Sequence, residues 1–178
     1  MTKKEMIKSI VVLTVICIVI SGALALVNSF TSDTIEMTKH ERETLERQQL
    51  LPEAVSFIQV SNNEIPTTVL SSHIGVNAKS EPVGYVFTAG RKGFDGTVVV
   101  MTAIGIDGKI VRVSTIDVTS ETKTLGGRAA LPEYTDMYIG KDASLDGVNA
   151  ISRATITSDA YEACVRDSFA AYEAIKEE

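Results

Sequence analysis

A chain of 178 residues with a net charge of −6 and only 6% aromatic residues has room for one ordinary domain beside any membrane segment. Its acidic balance and the lack of a basic cluster argue against nucleic acid as a partner. Cys164 is the one cysteine outside the apolar run that holds Cys17, which excludes an internal disulfide framework, and the two histidines, His40 and His73, lie far apart without the spacing of a metal site. Both histidines are expected at the surface.

Residues 10–27 form an almost unbroken apolar run, relieved only by Thr14, Cys17, Ser21 and Gly22. At about 1.5 Å per helical residue, such a run suffices to cross a hydrocarbon core of about 30 Å. Lys3, Lys4 and Lys8 precede it, which predicts a cytoplasmic N-terminus and an extracytoplasmic location for everything after Phe30. The rival is a cleaved signal peptide ending at Ala23-Leu24-Ala25. An uncleaved anchor is favoured because the apolar character runs on through Leu26 and Val27. Cys17 lies between Ile16 and Ile18, without the small neighbours a lipoprotein site needs.

Residues 34–51 are rich in Glu, Arg, Gln and Leu and lack Gly and Pro, so they predict a connecting helix that Pro52 helps to end. Its alternating charges read as a solvated face. Residues 61–80 are polar and weakly patterned around Pro66, and predict a loop region with at most a short strand. From Val83 the pattern changes to strands. Residues 83–88 are the first, and the three glycines of residues 90–96 mark a turn or bulged loop. Residues 97–106 are nearly all apolar, as in a strand buried on both faces. Asp107-Gly108 predicts a two-residue type I′ hairpin, and residues 110–118 return antiparallel. Asp107 is therefore read as a turn residue and not as a catalytic acid. A last helix is expected over residues 159–175, opened by a capping box at Asp159 and Glu162. Tyr161, Val165, Ser168, Tyr172 and Ile175 fall on one core-facing stripe, with Cys164 beside it as a small buried residue. The fold class is α+β: an N-terminal transmembrane helix (residues 1–30), a connecting helix (31–60), and an extracytoplasmic antiparallel sheet domain flanked by helices (61–178).

Two segments outside the regular pattern carry the chemistry. The first is Asn149-Ala150-Ile151-Ser152-Arg153-Ala154-Thr155-Ile156-Thr157-Ser158. Its hydroxyls precede the predicted helix, where unpaired N–H groups and the helix dipole favour an anion such as phosphate. The plainer reading makes Thr157, Ser158 and Asp159 capping residues. The second segment, Ser120-Glu121-Thr122-Lys123-Thr124-Leu125-Gly126-Gly127, is on its own a polar loop with glycines and a lysine but without Walker spacing. Ser152 and Ser158 have no neighbouring histidine, so a hydrolase reading finds no nucleophile–base pair in the sequence.

The first segment resembles the flavin-attachment motif of the FMN-binding domain family. That family includes the G-type subunit of Rnf electron-transport complexes and the C-type subunit of sodium-pumping NADH:quinone reductases. Its motif reads Asp-x-x-Ser-Gly-Ala-Thr, then an apolar residue, Thr and Ser. The second segment resembles the family's Glu-Thr-Pro-Gly-Leu-Gly loop, and Gly93-Phe94-Asp95-Gly96 and the Asp107-Gly108 turn fall in matching order. The resemblance implies FMN joined by a phosphodiester to Thr155, within the motif residues Ser152, Arg153 and Ala154. It also implies that Glu121, Thr122, Leu125 and Gly126 lie against the flavin, with no catalytic side chain and no metal. Implied partners are the other membrane subunits of an Rnf-like complex and a flavin transferase that installs the FMN. The implied activity is electron transfer that couples ferredoxin and NAD to ion transport. The rival readings are a stand-alone membrane-tethered flavin domain and a flavin-free structural subunit. Four residues depart from the motifs: Asn149 for Asp, Arg153 for Gly, and Lys123 and Thr124 for Pro and Gly. Arg153 either obstructs installation, pairs with the phosphate, or points to solvent.

Overall fold

A computed structural model describes residues 3–176, without the side chains of residues 3, 6, 9 and 30–40, so His40 lies outside the description. The chain forms two compact units, Met1–Thr44 and Leu45–Glu178. Helix α1 runs unbroken through Lys3–Leu50. The sequence pattern suggested two helices, but residues 28–33 contain neither Gly nor Pro to stop the first. Within α1, Ile10–Ser29 has a mean hydropathy of 3.0 and is long and apolar enough to cross a membrane.

The second unit is built on a five-stranded antiparallel meander in the order β1-β2-β3-β4-β5. Its strands are β1 (Ser56–Gln59), β2 (Val69–Val76), β3 (Pro82–Lys92), β4 (Thr97–Gly105) and β5 (Ile110–Asp117). Strand β2, with eight residues, corrects the expected loop region. Ser71, Ser72, His73 and Gly75 mask it in sequence, because none is a strong strand former. Strand β3 likewise continues to Lys92, past the glycine where a turn was expected.

Both faces of the sheet are covered, as the apolar run of β4 requires. On one face Phe87, Ala89, Val98, Val100 and Ile104 meet Tyr161, Val165, Phe169 and Tyr172 of helix α3 (Thr155–Lys176). On the other, Val86, Met101 and Ala103 pack with Leu50, Leu51 and Ala54. Burying each large side chain contributes roughly 1.5–3 kcal/mol, so the two layers dominate the stability of this unit. Arg91 fastens β3 to α3 with a bidentate hydrogen-bonded pair to Asp167, at 2.7 and 2.8 Å.

Two expectations need correction. The Asp107-Gly108 turn is present, but only Gly108 has a positive φ, of 74°. With Gly105 N–H bonded to the Lys109 carbonyl and Gly108 N–H to the Gly105 carbonyl, it is the longer hairpin turn ending in a left-handed glycine, and not type I′. His73 is half-buried in β2 and not at the surface; its Nε2 lies 3.3 Å from Arg47 Nη1.

Between β5 and α3 the chain makes a 3₁₀ turn at Gly126–Ala130, the short helix α2 (Pro132–Thr135), and another 3₁₀ turn at Asp136–Tyr138. Tyr134 and Tyr138 join Tyr161 of α3 in a buried aromatic trio with ring centroids 5.1–5.5 Å apart. The core role expected for Tyr161 and Tyr172 holds: they are 0% and 2% exposed.

Candidate functional site

Helix α3 begins at Thr155, four residues before the expected start. Asp159 therefore lies beyond the first turn, and no capping box forms there. The helix is started instead by a tight turn, in which Ala154 N–H donates to the Ile151 carbonyl at 3.0 Å. Arg153 occupies the third position of this turn with φ of 69°. Positive φ at that position defines the type II class, which favours glycine. Arg153 thus takes a backbone conformation that glycine adopts most easily, with its side chain exposed.

The three hydroxyls of the segment divide into different tasks. Ser158 Oγ accepts the Ile151 N–H at 2.9 Å and donates to the Ala154 carbonyl at 3.0 Å, which clamps the turn onto the helix. Thr157 Oγ1 donates to Glu121 Oε2 at 2.7 Å. Both residues are 2% exposed. Thr155, at the first helical position, is exposed, as is its neighbour Ile156. One hydroxyl therefore faces outward where the first-turn N–H groups have no intrahelical acceptor.

Glu121 is 5% exposed. Its Oε1 accepts the Asp95 N–H at 3.2 Å, and the N–H groups of Gly96 and Phe94 also point to the carboxylate. Burial alone would raise its pKa. The hydrogen bonds from Thr157 and from the loop of residues 93–96 outweigh that and hold it below the usual glutamate range. Two glycines make room for the carboxylate. A Cβ at Gly93 would lie 2.5 Å from Oε1, and one at Gly126 would lie 2.7 Å from Oε2 and 2.8 Å from Thr157 Oγ1.

The structure thus brings the two predicted segments together and adds a third. Ser152, Arg153 and Thr155 are exposed on the turn and helix start, with Ala154 buried beneath them. Thr122 is exposed, and its carbonyl accepts the N–H groups of Leu125 and Gly127. Leu125 is half-buried against the core, and Gly126 is buried. Asn149 is exposed and donates to the Gly147 carbonyl at 3.4 Å. Beside the turn lies a cavity of about 190 Å³ between Asn149–Ser152 and Arg128, Glu133, Tyr134 and Met137. Sequence reasoning missed the last four residues, which belong to the short helices that no periodicity announces.

Comparison with known proteins agrees with this geometry. The FMN-binding domain family matches residues 93–170, a span that starts at Gly93 and encloses all three segments. The G subunit of the Na⁺-translocating ferredoxin:NAD⁺ oxidoreductase complex of Acetobacterium woodii is 33% identical, covering 91% of this chain and 89% of the relative. The crystal structure of Shewanella oneidensis NqrC superposes with a TM-score of 0.52 at 14% identity, covering 72% of each chain, and so shares the fold. With a full-length relative at this identity and the family's motif segments assembled around one buried carboxylate, the chain belongs to the FMN-binding domain family.

Proposed function

We propose that the chain is the electron-carrying G-type subunit of an Rnf-like, ion-translocating ferredoxin:NAD oxidoreductase complex, with FMN linked through its phosphate to Thr155. The observation that carries this reading is the division of hydroxyls at the start of α3. Thr157 and Ser158 are buried and hydrogen-bonded, while Thr155 alone of the three is exposed at a helix N-terminus. The residues present fit a phosphate there: the dipole end of a 22-residue helix favours an anion, and Arg153 and Arg128 place two exposed cations on the adjoining loops.

FMN, when bound, supplies the one- and two-electron chemistry, and the protein supplies position and surroundings. Ser158 holds the turn, Glu121 holds the start of α3 through Thr157, and the exposed Thr155 hydroxyl is presented to a flavin transferase. Thr122, Leu125 and Gly126 are the proposed flavin contacts, together with Ser152 and Ala154. A covalent tether keeps the carrier from diffusing away between neighbouring redox centres.

The apolar helix Ile10–Ser29 supports anchoring in the membrane. Lys4 and Lys8 before it support a cytoplasmic N-terminus, with the sheet domain on the other side. The likeness to one component of a multi-subunit complex, over nearly the whole chain, supports assembly with other membrane subunits. The test is the intact mass of the chain purified from its native host. An increment of one FMN less one water, absent in Thr155→Ala, is expected. An unmodified native chain would instead favour the flavin-free structural role, with Asn149 and Arg153 as the altered motif positions.

A further inference from the structure

We propose that Glu121 is a positioning residue for the attachment site. Its carboxylate gathers three segments distant in sequence and so fixes the helix start that presents the Thr155 hydroxyl. This rests on the role proposed for Thr155, but it assigns Glu121 a task different from flavin contact.

A carboxylate that is 5% exposed is costly to bury unless it is paired or fully hydrogen-bonded. Among the described residues, no ion pair involves Glu121. Its charge is met instead by the Thr157 hydroxyl and by a row of backbone N–H groups from residues 94–96. Charge-assisted bonds of this kind are stronger than neutral ones, and both oxygens are used.

The surroundings are shaped to the carboxylate. Gly93 and Gly126 approach it so closely that a methyl group at either would collide with an oxygen. These contacts join the β3–β4 loop, the loop after β5 and the first turn of α3, across 36 residues between Glu121 and Thr157. The negative charge also lies at the N-terminal end of α3, where the helix dipole favours it. A side chain of this length, with an oxygen to accept from the loop and a polar atom to meet Thr157 Oγ1, spans the gap. Alanine leaves the N–H row and Thr157 without partners, whereas glutamine keeps the shape, one acceptor, and an amide that can donate to Thr157 Oγ1.

The test compares Glu121→Ala, Glu121→Gln and the core variant Val165→Ala in the full-length chain in detergent. Two readouts are taken: the flavin-bearing fraction by intact mass, and the rate of tryptic cleavage after the exposed Arg153. Losing the hydrogen bonds from Thr157 and Asp95 to the carboxylate should speed cleavage at Arg153 in Glu121→Ala by about tenfold or more. It should also cut the flavin-bearing fraction severely. Glu121→Gln should stay close to native in both, and Val165→Ala should lower the melting temperature while leaving both nearly intact. Glu121→Ala behaving like Val165→Ala, or Glu121→Gln being as impaired as Glu121→Ala, would overturn the assignment. A native chain without flavin would count against the function proposed for Thr155, while the cleavage rates would still decide the role of Glu121.

Discussion

Arg153 departs from the family's motif at a position whose backbone suits glycine. Its φ of 69° lies in the left-handed region, which costs a residue with a Cβ about 1–2 kcal/mol. Arg153→Gly relieves that cost but adds flexibility to the unfolded chain, so the expected net gain is about 0.5–1 kcal/mol, read as a higher urea midpoint at unchanged slope. Asn149 is the companion departure, exposed on the same loop and bonded only weakly to the Gly147 carbonyl. If the two substitutions slow attachment of flavin, Arg153→Gly with Asn149→Asp raises the flavin-bearing fraction measured by intact mass. An unchanged fraction in the double variant would remove both residues as obstacles.

At the scale of elements, the start of α3 depends on Ser158 more than on any capping residue. Ser158→Ala strips the Ile151 N–H of its acceptor in a site where Ser158 is 2% exposed. A buried unsatisfied donor costs about 1–3 kcal/mol, so the variant should unfold at correspondingly lower denaturant. Amide exchange should rise first at residues 151–158, while the strands stay protected. A uniform rise in exchange over the whole unit would oppose this local role. The same helix marks what sequence could and could not reveal. Its core stripe from Tyr161 to Ile175 was legible because five positions recur at helical spacing, and β4 was legible from its nearly all-apolar run. The start of α3 was not, because the Asp159 and Glu162 pair imitates a capping box while the true start is set by a side chain reaching back seven residues. Strand β2 was hidden by its serines, histidine and glycine, and the Asp-Gly turn was placed correctly with the wrong turn type. At the site, the Thr155 segment and the Glu121 loop could each be recognised as motifs. Their junction could not, since the hydrogen bond that makes it joins residues 36 apart.

Across the whole sheet unit, three buried or half-buried groups share one response to acid. The pKa of His73 is pushed down to about 4, by burial first and then by the neighbouring Arg47 guanidinium. Asp167 is raised by burial, but the hydrogen bonds from Arg91 and Thr68 outweigh this and leave it below its ordinary range. Glu121 is lowered in the same way by Thr157 and the loop N–H groups. In each case the unfolded chain binds protons more readily than the folded one, so stability rises with pH across the window between the two pKa values. For His73 that contribution is complete above about pH 6.5 and is lost as the pH falls toward about 4. The two carboxylates extend the loss below their unfolded values near 4. The unit should therefore be flat in stability between about pH 7 and 8 and weaken progressively below about 6.5, as read by melting temperature against pH. His73→Gln removes the first part of that slope and leaves the lower part, where Glu121 and Asp167 act. If the variant keeps the full slope between pH 6.5 and 4, the half-buried imidazole is not the group responsible. The slope that His73 should contribute would then have to be sought in another group, because Glu121 and Asp167 act only at lower pH.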